Sequence, residues 1–246
     1  MVIILSSNGA DYSGIAIGPH LENRIFGRPD PEPPAAVPID PALLARRAGL
    51  YAFPSGDQLR VTAAGQGLAF TARGPQAFAV LLGTPDAAER RIMAQREQKI
   101  GEMLDALRRG DAGPLGELRS LPAAKAAEEA RAAFAPWQAK LGAWQGSQVL
   151  GNGSYGGHPY TYARVTFEKG AKLVEYGWSG MGIETVRFLD APPAILFVPV
   201  KDGAFANFDV RTGTIVRLTF QDAAGGAPAA LVASTPDGPA VARRVG

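Results

Sequence analysis

The sequence predicts an α+β fold rich in β structure, an antiparallel barrel interrupted by an inserted subdomain of helices and a curved sheet. Three observations carry this. Short apolar runs punctuated by Gly, Pro and Ser turns fill residues 42–83 and return over 190–246. Between them, 84–189 opens with two long helical patterns and closes with strands. The 30 glycines and 20 prolines supply the turns that many short strands need.

In chain order, Val2-Ile3-Ile4-Leu5 is a continuous apolar run, as in strands buried on both faces. A turn over Ser6 to Asp11 follows, then Ile15, Ile17, Leu21, Ile25 and Phe26 at roughly helical spacing up to Gly27. One helix cannot cover a doubly buried strand, so 1–28 reads as the remnant end of a domain whose remainder lies upstream. Residues 29–41 belong to a Pro-rich stretch, Arg28 to Pro41, expected as a semi-rigid extended linker. Leu50–Phe53, Leu59–Thr62, Leu68–Thr71 and Phe78–Leu82 are expected as four strands of a meander.

The pattern then turns helical. Thr84-Pro85-Asp86 offers an N-cap and a proline at the first helical position. Ile92, Met93, Ile100, Met103, Leu104 and Leu107 mark one face, and Gly110 stops the helix. A second, Ala-rich helix covers about Ala123 to Leu141, buries Phe134, Trp137 and Leu141, and is expected to bend or break at Pro136. A Gly-rich loop at 151–157 precedes a hairpin of Tyr160–Phe167 and Lys172–Trp178, both alternating. Strands at Thr185–Leu189, Ile195–Val198, Ala204–Asp209, Ile215–Phe220, Ala229–Ala233 and Val241–Val245 complete the chain.

Val2 to Asn8 with its helix to Gly27 resembles the end of the catalytic domain of class C β-lactamase and penicillin-binding-protein-like serine hydrolases. The Pro-rich linker, then Gly49-Leu50-Tyr51, Leu59-Arg60-Val61 and Gly67-Leu68-Ala69, resembles the start of the lipocalin-like accessory domain attached to such hydrolases. Phe197-x-Pro199, Phe205-x-x-Phe208, Val216-x-Leu218-x-Phe220 and Ala242-x-Arg244-Val245 are similar to its second half. The resemblance implies a lipocalin-like barrel split by the insert, which is itself loosely similar to nuclear-transport-factor-like or cystatin-like folds. It implies a hydrolase catalytic domain as partner, in a family often periplasmic or secreted.

The family's Ser-x-x-Lys nucleophile is absent, since none of the nine serines has a lysine three residues on. Gly153-Ser154-Tyr155-Gly156 falls short of a nucleophile elbow, having Asn152 where a glycine is needed and a hairpin where a helix should follow. The lack of cysteine removes disulfides, zinc–thiolate sites and a thiol nucleophile, and two histidines without ligand spacing suggest no metal or other cofactor. A net charge of +2 points away from nucleic acid, and Arg90, Arg91, Arg96, Arg243 and Arg244 read as solvated. No run approaches the ~20 apolar residues of a membrane helix. The opening residues lack the basic region and cleavage site of a signal peptide, so the compartment stays unassigned.

Candidate pocket residues are His158 beside Tyr160 and Tyr162, with Trp137 and Trp178, each also readable as ordinary packing. Asp105 and Glu117 are candidates for a buried carboxylate, indistinguishable by pattern from helix-surface acids. Three functions stay open: a non-catalytic module capping or gating a hydrolase active site, a small-molecule-binding module, and an enzyme with an unfamiliar acid/base pair.

Overall fold

Alternation decides the inside and outside of the barrel. In β2 (Gln58–Ala64) Leu59 and Val61 are buried while Arg60 and Thr62 are exposed; in β3 (Gly67–Arg73) Leu68, Phe70 and Ala72 point inward. The computed structural model describes residues 21, 23–29, 32–82, 87–155, 158–191, 193–209, 214–224, 226, 228–235 and 237–245. The expected strand at Val2–Leu5, most of the helix after it and the Thr84 cap lie outside these residues.

Eight antiparallel strands close the barrel in the order β1-β12-β11-β10-β9-β8-β3-β2. The others are β1 (Gly49–Ala52), β8 (Ala194–Pro199), β9 (Phe205–Asp209), β10 (Thr214–Asp222), β11 (Pro228–Thr235) and β12 (Gly238–Val245). The strand-rich segments on either side of the helical stretch therefore meet twice. Leu50 pairs with Val245 across β1–β12, and Phe70 with Ile195 across β3–β8. Tyr51, Leu59, Phe70, Phe197, Leu218 and Leu231 fill the interior, with Phe70 and Phe197 edge to face at 4.8 Å.

Helix α1 (Pro41–Arg47) packs Leu44 into the barrel core, its first turn capped by Asp40 Oδ1 accepting from the Ala42 amide at 2.8 Å. Arg244 fastens the far end of α1: Nη2 donates to Ala48 O at 2.8 Å and Nη1 to Arg46 O at 3.2 Å. Arg244 is thus a structural clamp rather than a solvated tail charge, because helix-end carbonyls have no intrahelical donor.

Phe78–Leu82 is not a strand but part of helix α2 (Pro75–Leu82). Pro75 suits a first helical position, Gly74 turns the chain at φ +98°, and Asp57 Oδ2 accepts from the Gln76 amide at 2.7 Å. That cap comes from the β1–β2 connection, so no local pattern could reveal it.

Helices α3 (Ala87–Arg108), α4 (Gly113–Arg119) and α5 (Ala123–Leu141) cover one face of a sheet in the order β4-β5-β6-β7. Its strands are β4 (Trp144–Tyr155), β5 (His158–Phe167), β6 (Gly170–Ser179) and β7 (Gly182–Leu189). Ile100, Met103 and Leu104 are buried as the spacing predicts, but Ile92 is exposed and Arg96 is buried over the Trp178 ring. Pro136 leaves α5 unbroken: its missing amide would have served the carbonyl of Ala132, an exposed residue on the solvent side. No described helix is long and apolar enough to cross a membrane.

Most of the expected Gly-rich loop at 151–157 is instead the second half of β4. A bulge between Val149 and Gly151 lets β4 pass α2 and then continue pairing, Asn152 with Thr161. The other face of the sheet packs on α2 and the barrel, Tyr162 stacking on Phe78 at 5.1 Å and 5°. Leu173 to Trp178 are therefore buried without interruption, the pattern of a strand covered on both sides.

Candidate functional site

Three adjacent strands place Tyr162, Glu175 and Arg187 in one row, since Tyr162 pairs with Glu175 and Glu175 with Arg187. All three line a cavity of about 300 Å³ at the seam between barrel and sheet. Phe78, Leu81, Leu189 and Ile195 give it apolar walls. Arg187 Nε donates to Glu175 Oε1 at 2.7 Å, and Nη2 donates to the same oxygen. The Glu175 side chain is 5% exposed and that of Arg187 58%, so the pair runs from the interior to the rim. Burial, followed by the charge of Glu175 and a hydrogen bond to it, pushes the Tyr162 phenol well above its usual range. The hydrogen bond to Glu175 likewise raises Arg187. Tyr162 and Arg187 thus stay protonated donors at neutral pH, on an apolar cavity of the size that binds small molecules.

A second polar assembly lies on the helix-covered face. Trp178 Nε1 donates to Thr161 Oγ1 at 2.8 Å, Thr161 Oγ1 donates to Asn152 Oδ1 at 2.5 Å, and Asn152 Nδ2 donates to Glu97 Oε1 of α3. Trp178, Thr161 and Asn152 are buried. Burial pushes the Glu97 carboxyl up; the Asn152 hydrogen bond opposes this and the charge of Asp57 adds to it. A carboxyl raised on folding contributes stability that is present below its unfolded value and lost as pH rises through its folded one. The wild type should therefore lose stability relative to Glu97→Gln as pH climbs from the ordinary value of 4.5. Melting temperatures of both proteins between about pH 4 and about pH 8 check this, and a constant difference would contradict it.

The five sequence candidates do not line one cavity. Tyr162 lines the seam, and the Tyr160 ring lies 5.7 Å from the Arg187 guanidinium carbon. Trp178 faces the opposite side of the sheet within the helix-covered core. Trp137 sits half-buried on α5 against Phe188, with the Lys172 ammonium 4.1 Å from its ring. His158 begins β5 opposite Tyr155. Asp105 and Glu117 are exposed; the carboxylates that burial distinguishes are Glu175 and Glu97. Glu175 gave no signal because alternation makes it look outward-facing, and Glu97 sits among other charges on α3.

Ser55 Oγ donates to Gln76 Oε1 at 2.8 Å and accepts from the Asp57 amide, so its partners are amides rather than a base. Among the described residues no group of three or more His, Cys, Asp or Glu side chains could hold a metal ion. No family model, curated protein or solved structure matches this chain.

Proposed function

We propose that this chain is a non-catalytic accessory module of a β-lactamase-like serine hydrolase, a lipocalin-like barrel with an inserted subdomain that caps or gates the catalytic domain. The observation that carries the reading is the order of parts. A segment resembling the hydrolase's closing helix is followed by a proline-rich connection and then by the Gly49-Leu50-Tyr51 strand of a closed barrel. Support comes from two further features. Ile25 and Phe26 are 49% and 55% exposed, an apolar pair that a partner surface would cover. The connection is tied to the barrel by the Val37 amide donating to Pro199 O at 2.9 Å, as suits a semi-rigid spacer between two domains.

The isolated chain should take no label at any serine from a fluorophosphonate or penicillin probe. The genomic reading frame of this chain or its neighbour should encode Ser-x-x-Lys. A labelled serine within residues 1–246, or a locus without that motif, would end the proposal.

The seam cavity favours a second reading, binding of a small molecule with an apolar body and a hydrogen-bond acceptor directed at the Arg187 guanidinium, which keeps N–H groups beyond the two given to Glu175.

A further inference from the structure

A cavity of about 430 Å³ opens between α2, α3 and the turn joining β11 to β12, distinct from the seam. Ala79, Val80, Met93 and Pro239 give it apolar walls, and Glu97 is set into it from α3.

The sense of the hydrogen-bond chain behind Glu97 follows from the chemistry of its far end. An indole N–H can only donate, so Thr161 Oγ1 accepts from Trp178 and sends its own proton to Asn152 Oδ1. Asn152 must then present its NH2 group outward, to Met93 O at 3.0 Å and to Glu97 Oε1. All of these donors are committed. Glu97 is consequently fixed as an acceptor, backed by three buried side chains.

The nearby cations are directed elsewhere. Arg96 donates through Nη2 to Gly180 O at 2.7 Å and lies over Trp178. Arg90 lines the same cavity but is ion-paired with Asp237 at 2.7 Å. Among the described residues that line it, two carboxylates, Glu97 and Asp237, thus accompany a single guanidinium. A carboxylate in apolar surroundings is costly unless a counter-charge meets it.

We propose that this cavity binds an organic ammonium ion, a primary amine on an apolar stem, with Glu97 as its counter-ion. The ammonium donates to the Glu97 oxygen that Asn152 does not occupy, and the stem lies against Met93 and Val80. Volume and lining suit a ligand of that kind, with apolar side chains beside a carboxylate held in place from behind. The inference is independent of the accessory-module reading.

Phenethylammonium, phenethyl alcohol and phenylacetate share a ring and differ in charge, so they separate Glu97 pairing from mere apolar filling. Each is titrated into the full chain near neutral pH, followed by calorimetry and by the Trp178 indole N–H resonance. The ammonium should bind and move that resonance, the alcohol should bind at least about tenfold more weakly, and phenylacetate weaker still. In Glu97→Gln the preference for ammonium over alcohol should shrink to about twofold or less. Equal binding of ammonium and alcohol to the wild type would overturn the proposal, as would a preference that survives in Glu97→Gln. Absence of ammonium binding at about 10 mM would do the same. The wild-type comparison needs no variant, so it decides even if Glu97→Gln fails to fold.

Discussion

Replacing Arg187 with alanine is expected to cost about 2–3 kcal/mol of stability, a fall in melting temperature of about 4–12 °C for a domain of this size. The Glu175 side chain, 5% exposed, would be left in an apolar seam without its counter-charge and lose both bonds from the guanidinium. Breaking a fully buried pair costs about 3–5 kcal/mol; Arg187 reaches the surface and water screens part of its effect, hence the smaller figure. The double variant Arg187→Ala/Glu175→Gln should recover at least about half of the loss, because the stranded charge is gone while an acceptor for Tyr162 remains. Denaturant unfolding of wild type, single and double variants measures this. If the double variant is as unstable as the single one, the cost does not come from the unpaired carboxylate.

Two glycines, one where β4 passes α2 and one inside α3, should respond in opposite directions. Gly151 holds φ +141°, and a Cβ there would stand 2.7 Å from Phe78 Cδ2 and 3.2 Å from Pro75 Cα. The proline atom is backbone and cannot turn aside. Gly151→Ala should cost about 2–3 kcal/mol from overpacking and backbone strain together. It should also weaken the Asn152 contacts next door. Gly101 lies inside α3, where an added Cβ meets Val149 Cγ2 at an ordinary 3.8 Å. Gly101→Ala should stabilise by about 0.5–1 kcal/mol through helix propensity alone. Thermal melts of the two variants side by side check both signs; a harmless Gly151→Ala would show that β4 does not need its close pass over α2.

The barrel strands were legible because their signal is local: alternation in Leu59-Arg60-Val61 and Leu68-Ala69-Phe70, with turn residues between. Helices α3 and α5 were legible for the same reason, from 3.6-residue spacing and a glycine stop at Gly110. What stayed hidden depends on residues far apart in the chain. Phe78–Leu82 reads as a strand until Asp57 is seen capping its amide end. Residues 151–155 read as loop until Thr161 and α2 are in place beside them. Glu175 shows the limit most plainly. Lys172 to Trp178 alternates, so one face looks fit for water, and only the barrel lying against that face turns Glu175 into a buried charge.

The pairing of Thr71 with Ala194 sets an order of events during folding. These two strands are neighbours in the barrel, yet the whole of α2 to β7 is strung between them. Closing so long an unstructured loop is entropically costly, whereas a stretch already condensed into a unit brings its two ends together beforehand. The helices and the β4–β7 sheet, connected by short turns and hairpins, should therefore consolidate first and deliver β8 to β3. The first three barrel strands must wait for them, and the last, β12, must be made before β1 acquires its second neighbour. In pulse-labelled hydrogen exchange during refolding, amides of β5 and β6 should gain protection before those shared by β3 and β8. On a ribosome, the barrel could not be completed until β12 had emerged.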